Sequence, residues 1–409
     1  MPAPTARLAF LPDVLEEHLE ELGFLWGRRA GALRSAEETP RTLRRLDERI
    51  QAHLQGVLAV GERGLDLIAA GLDSDDPLAV FSSAFSLLHL RRADLAHRVV
   101  AALAAAQGPA LGALRDALAH APNPDATERL GPLLDAPAGA IAVAAAEALA
   151  FRGVLRLSTD QIGRFLADPD PAVRVAGWRL AGYLGPELSP KTYAAALRDE
   201  DAAVASAALW AGAWCRLQGV LPVTRQMAAQ PAPERLEDLR LLAILAGPAD
   251  AGLFRALADD AALGPGRFRL LGALGNASLM ELVLRGMEDA DPAAASAAGA
   301  AFAKITGESA ASSRTATIGG GADAFEAEFA EEVALPDPER ARRAWERLAR
   351  SVGAVPRLCR GLDMGRPIDP ATFAGLDMET RTEMFLRSRF HGAWGGSPLQ
   401  LEAFPLRFD

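Results

Sequence analysis

Metal binding, acid–base catalysis and nucleophilic attack draw on a short list of side chains, and this chain has few of them: six histidines and two cysteines in 409 residues. His18, His53, His89, His97, His120 and His391 show neither His-x-x-x-His nor His-Glu-x-x-His spacing, the arrangements that set two imidazoles on one helix face to hold zinc. Cys215, beside Trp214, and Cys359, far along the chain, have the spacing of neither a metal knuckle nor a disulfide framework. Both read as small packing residues. There is no Gly-x-Ser-x-Gly nucleophile elbow and no phosphate loop ending in Gly-Lys-Ser/Thr, and Gly319-Gly320-Gly321 follows no predicted strand. Asp363, Asp369 and Asp377 are the carboxylates that could pair as general acid and base, with no partner group evident beside them. The sequence assigns no catalytic, cofactor-binding or metal-ligating residue, and no cofactor.

What the sequence does carry is a repeated frame. In Asp168 to Gly185 an Asp-Pro-Asp-Pro turn precedes Val173, Ala176, Leu180 and Leu184, which share one face at helical spacing, with Arg174 and Arg179 off it. Pro171 suits the first turn of a helix because the N–H it lacks would have no partner there. The same phrase returns at Asp199-Glu200-Asp201 and Asp289-Ala290-Asp291-Pro292, and more weakly at Asp75-Asp76-Pro77, with a period of roughly 30 residues. Between copies, Ser189-Pro190 and the Ser158/Gln161 pair signal a second helix in each unit. This Asp-x-Asp-Pro-x-Val-Arg-x-Ala pattern resembles the HEAT repeat, particularly its short HEAT-like form. The resemblance implies an all-α fold, an α-α superhelix in which each repeat buries its apolar face against its neighbours.

Composition agrees with that reading. Half the residues are hydrophobic, yet no run approaches the ~18 apolar residues of a membrane span, so no span is expected. Leu8-Ala9-Phe10-Leu11 is too short for a signal-peptide core and is followed at once by acidic residues, which leaves a cytoplasmic protein as the expectation. A net charge of −10 argues against nucleic acid as the partner, because phosphate neutralisation favours an excess of Lys and Arg.

Along the chain, residues 1–72 form an atypical N-terminal helical cap. Leu11 to Leu25 is one predicted helix, and Thr39-Pro40 caps a second in which Leu43, Leu46, Ile50 and Leu54 recur at helical spacing. A terminal repeat must close the core with a polar outer face, and Arg28, Arg29, Arg44 and Arg45 on that face are candidates for an acidic partner. The repeats occupy 73–307. Residues 308–335 lose apolar periodicity and read as a flexible acidic linker, in which Phe325 and Phe329, at i and i+4, are candidate docking residues. Residues 336–409 hold a helix from Pro338 to Ser351, with Trp345 and Leu348 inside, and an apolar tail expected to cap the last repeats.

Val14 to Arg29, Leu43 to Gly56, the repeats and the two Gly-Leu-Asp-Met phrases at Gly361 and Gly375 together resemble a family of uncharacterised proteobacterial proteins of about this length. The resemblance covers nearly the whole chain. Members are often encoded among type VI secretion genes, which implies a role beside that machine, but the family brings no catalytic residues. A protein-binding scaffold is the expected function, as adaptor, chaperone or immunity factor holding a secretion effector or spike component. The alternative is a HEAT-like enzyme or lyase acting on a small molecule. The sequence leaves the oligomeric state open.

Overall fold

The structure is a computed structural model, described over residues 11–155, 157–185, 188–319, 330–353 and 355–406. It is an all-α protein built from helical repeats. Among the described residues no helix is long and apolar enough to cross a membrane.

The chain forms two compact units: residues 1–215 with 377–382 and 395–409, and residues 216–376 with 383–394. In the first unit, α1 (Pro12–Ala32) and α2 (Pro40–Ala59) pack on each other and precede α3 (Leu65–Ala70). Then come α4 (Pro77–His89), α5 (Ala93–Ala105), α6 (Gly108–His120), α7 (Pro124–Leu130), α8 (Gly139–Phe151), α9 (Thr159–Leu166), α10 (Pro171–Leu184), α11 (Pro190–Ala196) and α12 (Ala202–Trp214). The even-numbered helices stack in order, α4 on α6, α6 on α8, α8 on α10 and α10 on α12, while the odd-numbered ones return beside them. One apolar core runs from Leu15 to Leu180.

The Asp-x-Asp-Pro phrase works as a latch. Asp168 accepts from the Asp170 N–H at 2.9 Å, and Asp170 then caps α10 by accepting from Ala172 N–H at 2.8 Å. Arg174, one turn further, donates to both oxygens of Asp199 at 2.9 and 2.8 Å, tying this repeat to the next turn. The second unit repeats the device in α13 (Val220–Ala228), α14 (Leu236–Leu245), α15 (Ala251–Asp259), α16 (Gly266–Leu274), α17 (Met280–Gly286) and α18 (Pro292–Thr306). There Arg225 grips Asp250 at 2.8 Å and Arg267 grips Asp289 at 2.7 Å.

Several expectations change. The first helix runs on to Ala32, and Trp26 and Arg29 continue its buried face. The linker expected at 308–335 contains two strands, β1 (Ala311–Ile318) and β2 (Glu331–Pro336), paired antiparallel with Thr315 opposite Ala334 and Thr317 opposite Glu332. Thr315, Thr317, Ile318 and Val333 are β-branched, and the pairing satisfies backbone groups that a linker would leave to water. Gly320, Gly321, Phe325 and Phe329 lie outside the described residues, so the proposed docking pair does too. In α19 (Pro338–Val352) the buried residues are Ala341 and Ala344, while Trp345 and Leu348 are half-buried. After α20 (Pro370–Ala374), the residues of α21 (Met378–Phe390) from Glu383 onward belong to the second unit, where Glu383 meets Arg240 and Lys304, each at 2.8 Å. The tail that follows, with the single turn α22 (Leu399–Glu402), packs against α1, α2, α4 and α10 of the first unit rather than on the last repeats. The reason is polar as well as apolar: its carbonyls and N–H groups find buried partners on α1 and α2.

Candidate functional site

In the first unit the ends of the stacked helices leave an open cleft of about 1340 Å³. Glu48, Gln51 and Gln55 of α2 form one wall, His89, His120 and Phe151 at the ends of α4, α6 and α8 line it, and Leu399 to Pro405 of the tail form another wall. Repeat spacing produces the lining, since equivalent positions of stacked helices fall side by side. His120 lies against Phe151 at 4.9 Å between ring centroids, and Phe151 against Tyr183 of α10 at 5.6 Å. Trp26 joins the row by stacking on Phe81 at 4.3 Å and by meeting His120 at 5.0 Å.

Charged groups run alongside these rings with the same period. Arg115, Glu147 and Arg179 occupy equivalent positions on α6, α8 and α10, and the buried Glu147 carboxylate accepts from Arg115 at 3.1 Å and from Arg179 at 2.7 Å. Burial alone would lower the Arg115 pKa, but the carboxylates of Asp116 and Glu147 outweigh it and raise the pKa. His120 is driven the other way. Desolvation, with repulsion from Arg29 and Arg115, lowers its pKa to about 3, so the ring is neutral near pH 7. Burial likewise lowers the pKa of His89, whose Nδ1 lies 2.8 Å from the Phe85 carbonyl oxygen. The cleft edge is fixed by Asn123, which donates to the Leu88 carbonyl at 2.8 Å, and by Arg152, which donates to the carbonyls of Leu118, Ala121 and Asn123.

The tail is bound by charge and ring together. Arg29, 2% exposed, donates to Asp47 at 2.7 Å and to the carbonyls of Glu402 and Ala403 at 3.2 and 2.6 Å. The second Asp47 oxygen accepts from the Leu406 N–H at 2.8 Å. The Tyr183 hydroxyl donates to Glu402 at 3.1 Å, and burial raises the pKa of both groups. Phe404 stands edge-on to Trp26 and Phe85, at 5.5 and 5.7 Å between ring centroids.

The sequence-derived candidates therefore separate. Arg28 stays on the surface, 4.0 Å from Glu38, but Arg29 is consumed inside the unit and is no surface docking residue. Asp363, Asp369 and Asp377 do not form an acid pair: Asp369 and Asp377 cap helices by accepting from Thr372 and Thr380 N–H at 2.9 and 2.8 Å, and Asp363 accepts from Gly365 N–H at 2.9 Å. Sequence reasoning missed the meeting of His18 and His53, Nδ1 to Nδ1 at 3.2 Å, which adjacent helices create across 35 positions. Among the described residues no cluster of three or more His, Cys, Asp or Glu side chains is placed to hold a metal ion. It also missed Asp47, Glu147 and Tyr183; the spacing of 32 residues linking Arg115 to Glu147 and Glu147 to Arg179 was the signal available. No protein-family model matches the chain, and no curated protein matches it.

Proposed function

We propose that this protein is a protein-binding scaffold of the HEAT-like class, working in the cytoplasm beside a type VI secretion machine as adaptor, chaperone or immunity factor. The observation that supports it is the face of the first unit beside the cleft, where Arg29, Asp47, Tyr183 and the rings of Trp26 and Phe85 hold the tail through its backbone and side chains. Helical repeats present such surfaces because neighbouring units repeat the same lining positions. The partner it suits is a secretion effector or spike component. Affinity capture from a proteobacterial host, with mass spectrometry of the bound proteins, tests this. Recovery of a secretion component at stoichiometric yield supports the proposal, and recovery of none with the secretion genes expressed overturns it. The acidic balance makes nucleic acid a poor partner, and a mobility-shift titration at physiological salt is expected to show nothing tighter than the non-specific range of ~10⁻⁴–10⁻⁶ M.

A second reading is favoured by two features of the same cleft: its volume of about 1340 Å³ and its two histidines. An enzyme or lyase acting on a small molecule would use them. Native mass spectrometry of the captured protein separates the two readings, because a small molecule retained without a protein partner supports the enzyme reading and a protein partner retained alone supports the scaffold.

A further inference from the structure

Ser397–Leu406 lies on the first unit as a bound peptide lies on a receptor. Three of its contacts are to main chain, two carbonyls taken by Arg29 and one N–H taken by Asp47. Two others read side chains: Tyr183 holds the Glu402 carboxyl, and the Trp26/Phe85 slot holds the Phe404 ring. Arg29 also lies 5.3 Å from the centre of that ring. Pro398 is buried, whereas the residues from Leu399 to Leu406 are half-buried or exposed, with Leu399 and Phe404 packed against the edge of the apolar core, so most of this segment is laid on the unit. Stability alone would be served at least as well by apolar residues as by a buried Arg–Asp pair and a desolvated carboxyl. Such groups discriminate between segments, because a peptide lacking their partners leaves them unsatisfied.

We propose that this groove is a peptide-recognition site which Ser397–Leu406 fills as an internal stand-in. In this view a partner protein enters by displacing that segment with one that carries a carboxylate at the end of a helical turn, two positions ahead of an aromatic side chain. The inference rests on the scaffold reading and supplies its site. A tethered occupant lowers the apparent affinity for any competitor by the fraction of time the groove stands open, so weakening the tether strengthens the competitor.

The test uses the full chain and a fluorescein-labelled synthetic peptide spanning Ser397–Leu406. Phe404→Ala in the protein loosens the internal segment and leaves Trp26, Phe85, Arg29 and Asp47 in place. The labelled peptide is expected to bind this variant at least ~10-fold more tightly than the unsubstituted protein. A peptide carrying Glu402→Ala or Phe404→Ala is expected to bind at least ~10-fold more weakly than the native peptide. Equal affinity for the two proteins, or no binding to a variant whose circular dichroism is native, overturns the proposal. A second readout needs no variant. In the unsubstituted protein the Leu406 amide is expected to exchange through a local opening, faster than the amides of α1 and α2. Exchange in step with those helices makes the segment a fixed part of the unit and overturns the proposal. If a captured partner binds while the peptide does not, the groove assignment fails and the scaffold reading stands; peptide exchange with no partner in the host reverses that result.

Discussion

Asp47→Ala removes one carboxylate that serves two masters, the Arg29 guanidinium at 2.7 Å and the Leu406 N–H at 2.8 Å. Both side chains of the ion pair are almost fully buried, at 2% and 3% exposure, so the substitution strands a cation away from water. Breaking a buried pair from one side costs about 3–5 kcal/mol. Replacing both partners with apolar groups, Arg29→Met with Asp47→Leu, should cost much less, since no unpaired charge remains. The two units need not unfold together, so the measurement must be local to α1 and α2. Amide exchange followed by mass spectrometry reports their opening directly, and 3 kcal/mol corresponds to roughly 100-fold faster exchange in those helices. The double variant should recover most of that loss. A cost below about 1 kcal/mol for Asp47→Ala, or a double variant worse than both single ones, would refute the reasoning that the pair is a mutually dependent buried unit.

The first unit should carry opposing pH signatures, from His120 in the cleft and from Glu402 in the tail. His120, held at about 3 against an ordinary 6.5, contributes stability that is present above pH 6.5 and lost as pH falls towards 3, so His120→Phe should flatten the acid limb of a thermal melting profile. Glu402 has a raised pKa, mainly from burial, so its contribution is full below the unfolded value near 4.5 and is lost as pH rises; Glu402→Gln should raise the melting temperature near pH 7 relative to the unsubstituted protein. In the second unit, Gly275 ends α16 at φ +65°, and a Cβ there would collide with the Leu358 carbonyl oxygen, so Gly275→Ala should destabilise by more than the ~1 kcal/mol of an ordinary left-handed cap, measured by urea unfolding. Asp170→Ala removes the cap of α10 and should cost about 1 kcal/mol in the same assay.

How far the sequence reached depended on whether the determinants were local. Asp170, Asp201 and Asp291 cap the helices their spacing announced, because a cap and the N–H it serves lie two or three residues apart. Thr39 caps α2 for the same reason. Arg29 was misplaced because a charge was read as surface whatever its face, although its spacing from Leu22, Leu25 and Trp26 puts it on the buried side of α1 and Arg28 off it. Its partner Asp47 hides in a helix of alternating charges, where a single inward acid breaks no pattern. The strand pair at Ala311–Ile318 and Glu331–Pro336 escaped because its apolar alternation is short, Val333 and Leu335 on one strand, and its β-branched Thr315, Thr317 and Ile318 lie in a run that otherwise reads as a loop. Least accessible of all was the tail's destination, which depends on contacts formed between residues up to 374 positions apart.

That separation has a consequence for synthesis. The helices that carry Arg29 and Asp47 leave the ribosome early, but the residues that satisfy them follow 374 and 359 positions later. At ordinary elongation rates of ~5–20 residues per second, the gap lasts roughly 20–75 s. Throughout that interval the nascent first unit displays an uncovered guanidinium–carboxylate pair and an empty aromatic slot to everything in its surroundings. The growing chain thus passes through a phase in which its own tail cannot compete, and whatever binds that slot during translation meets no internal rival.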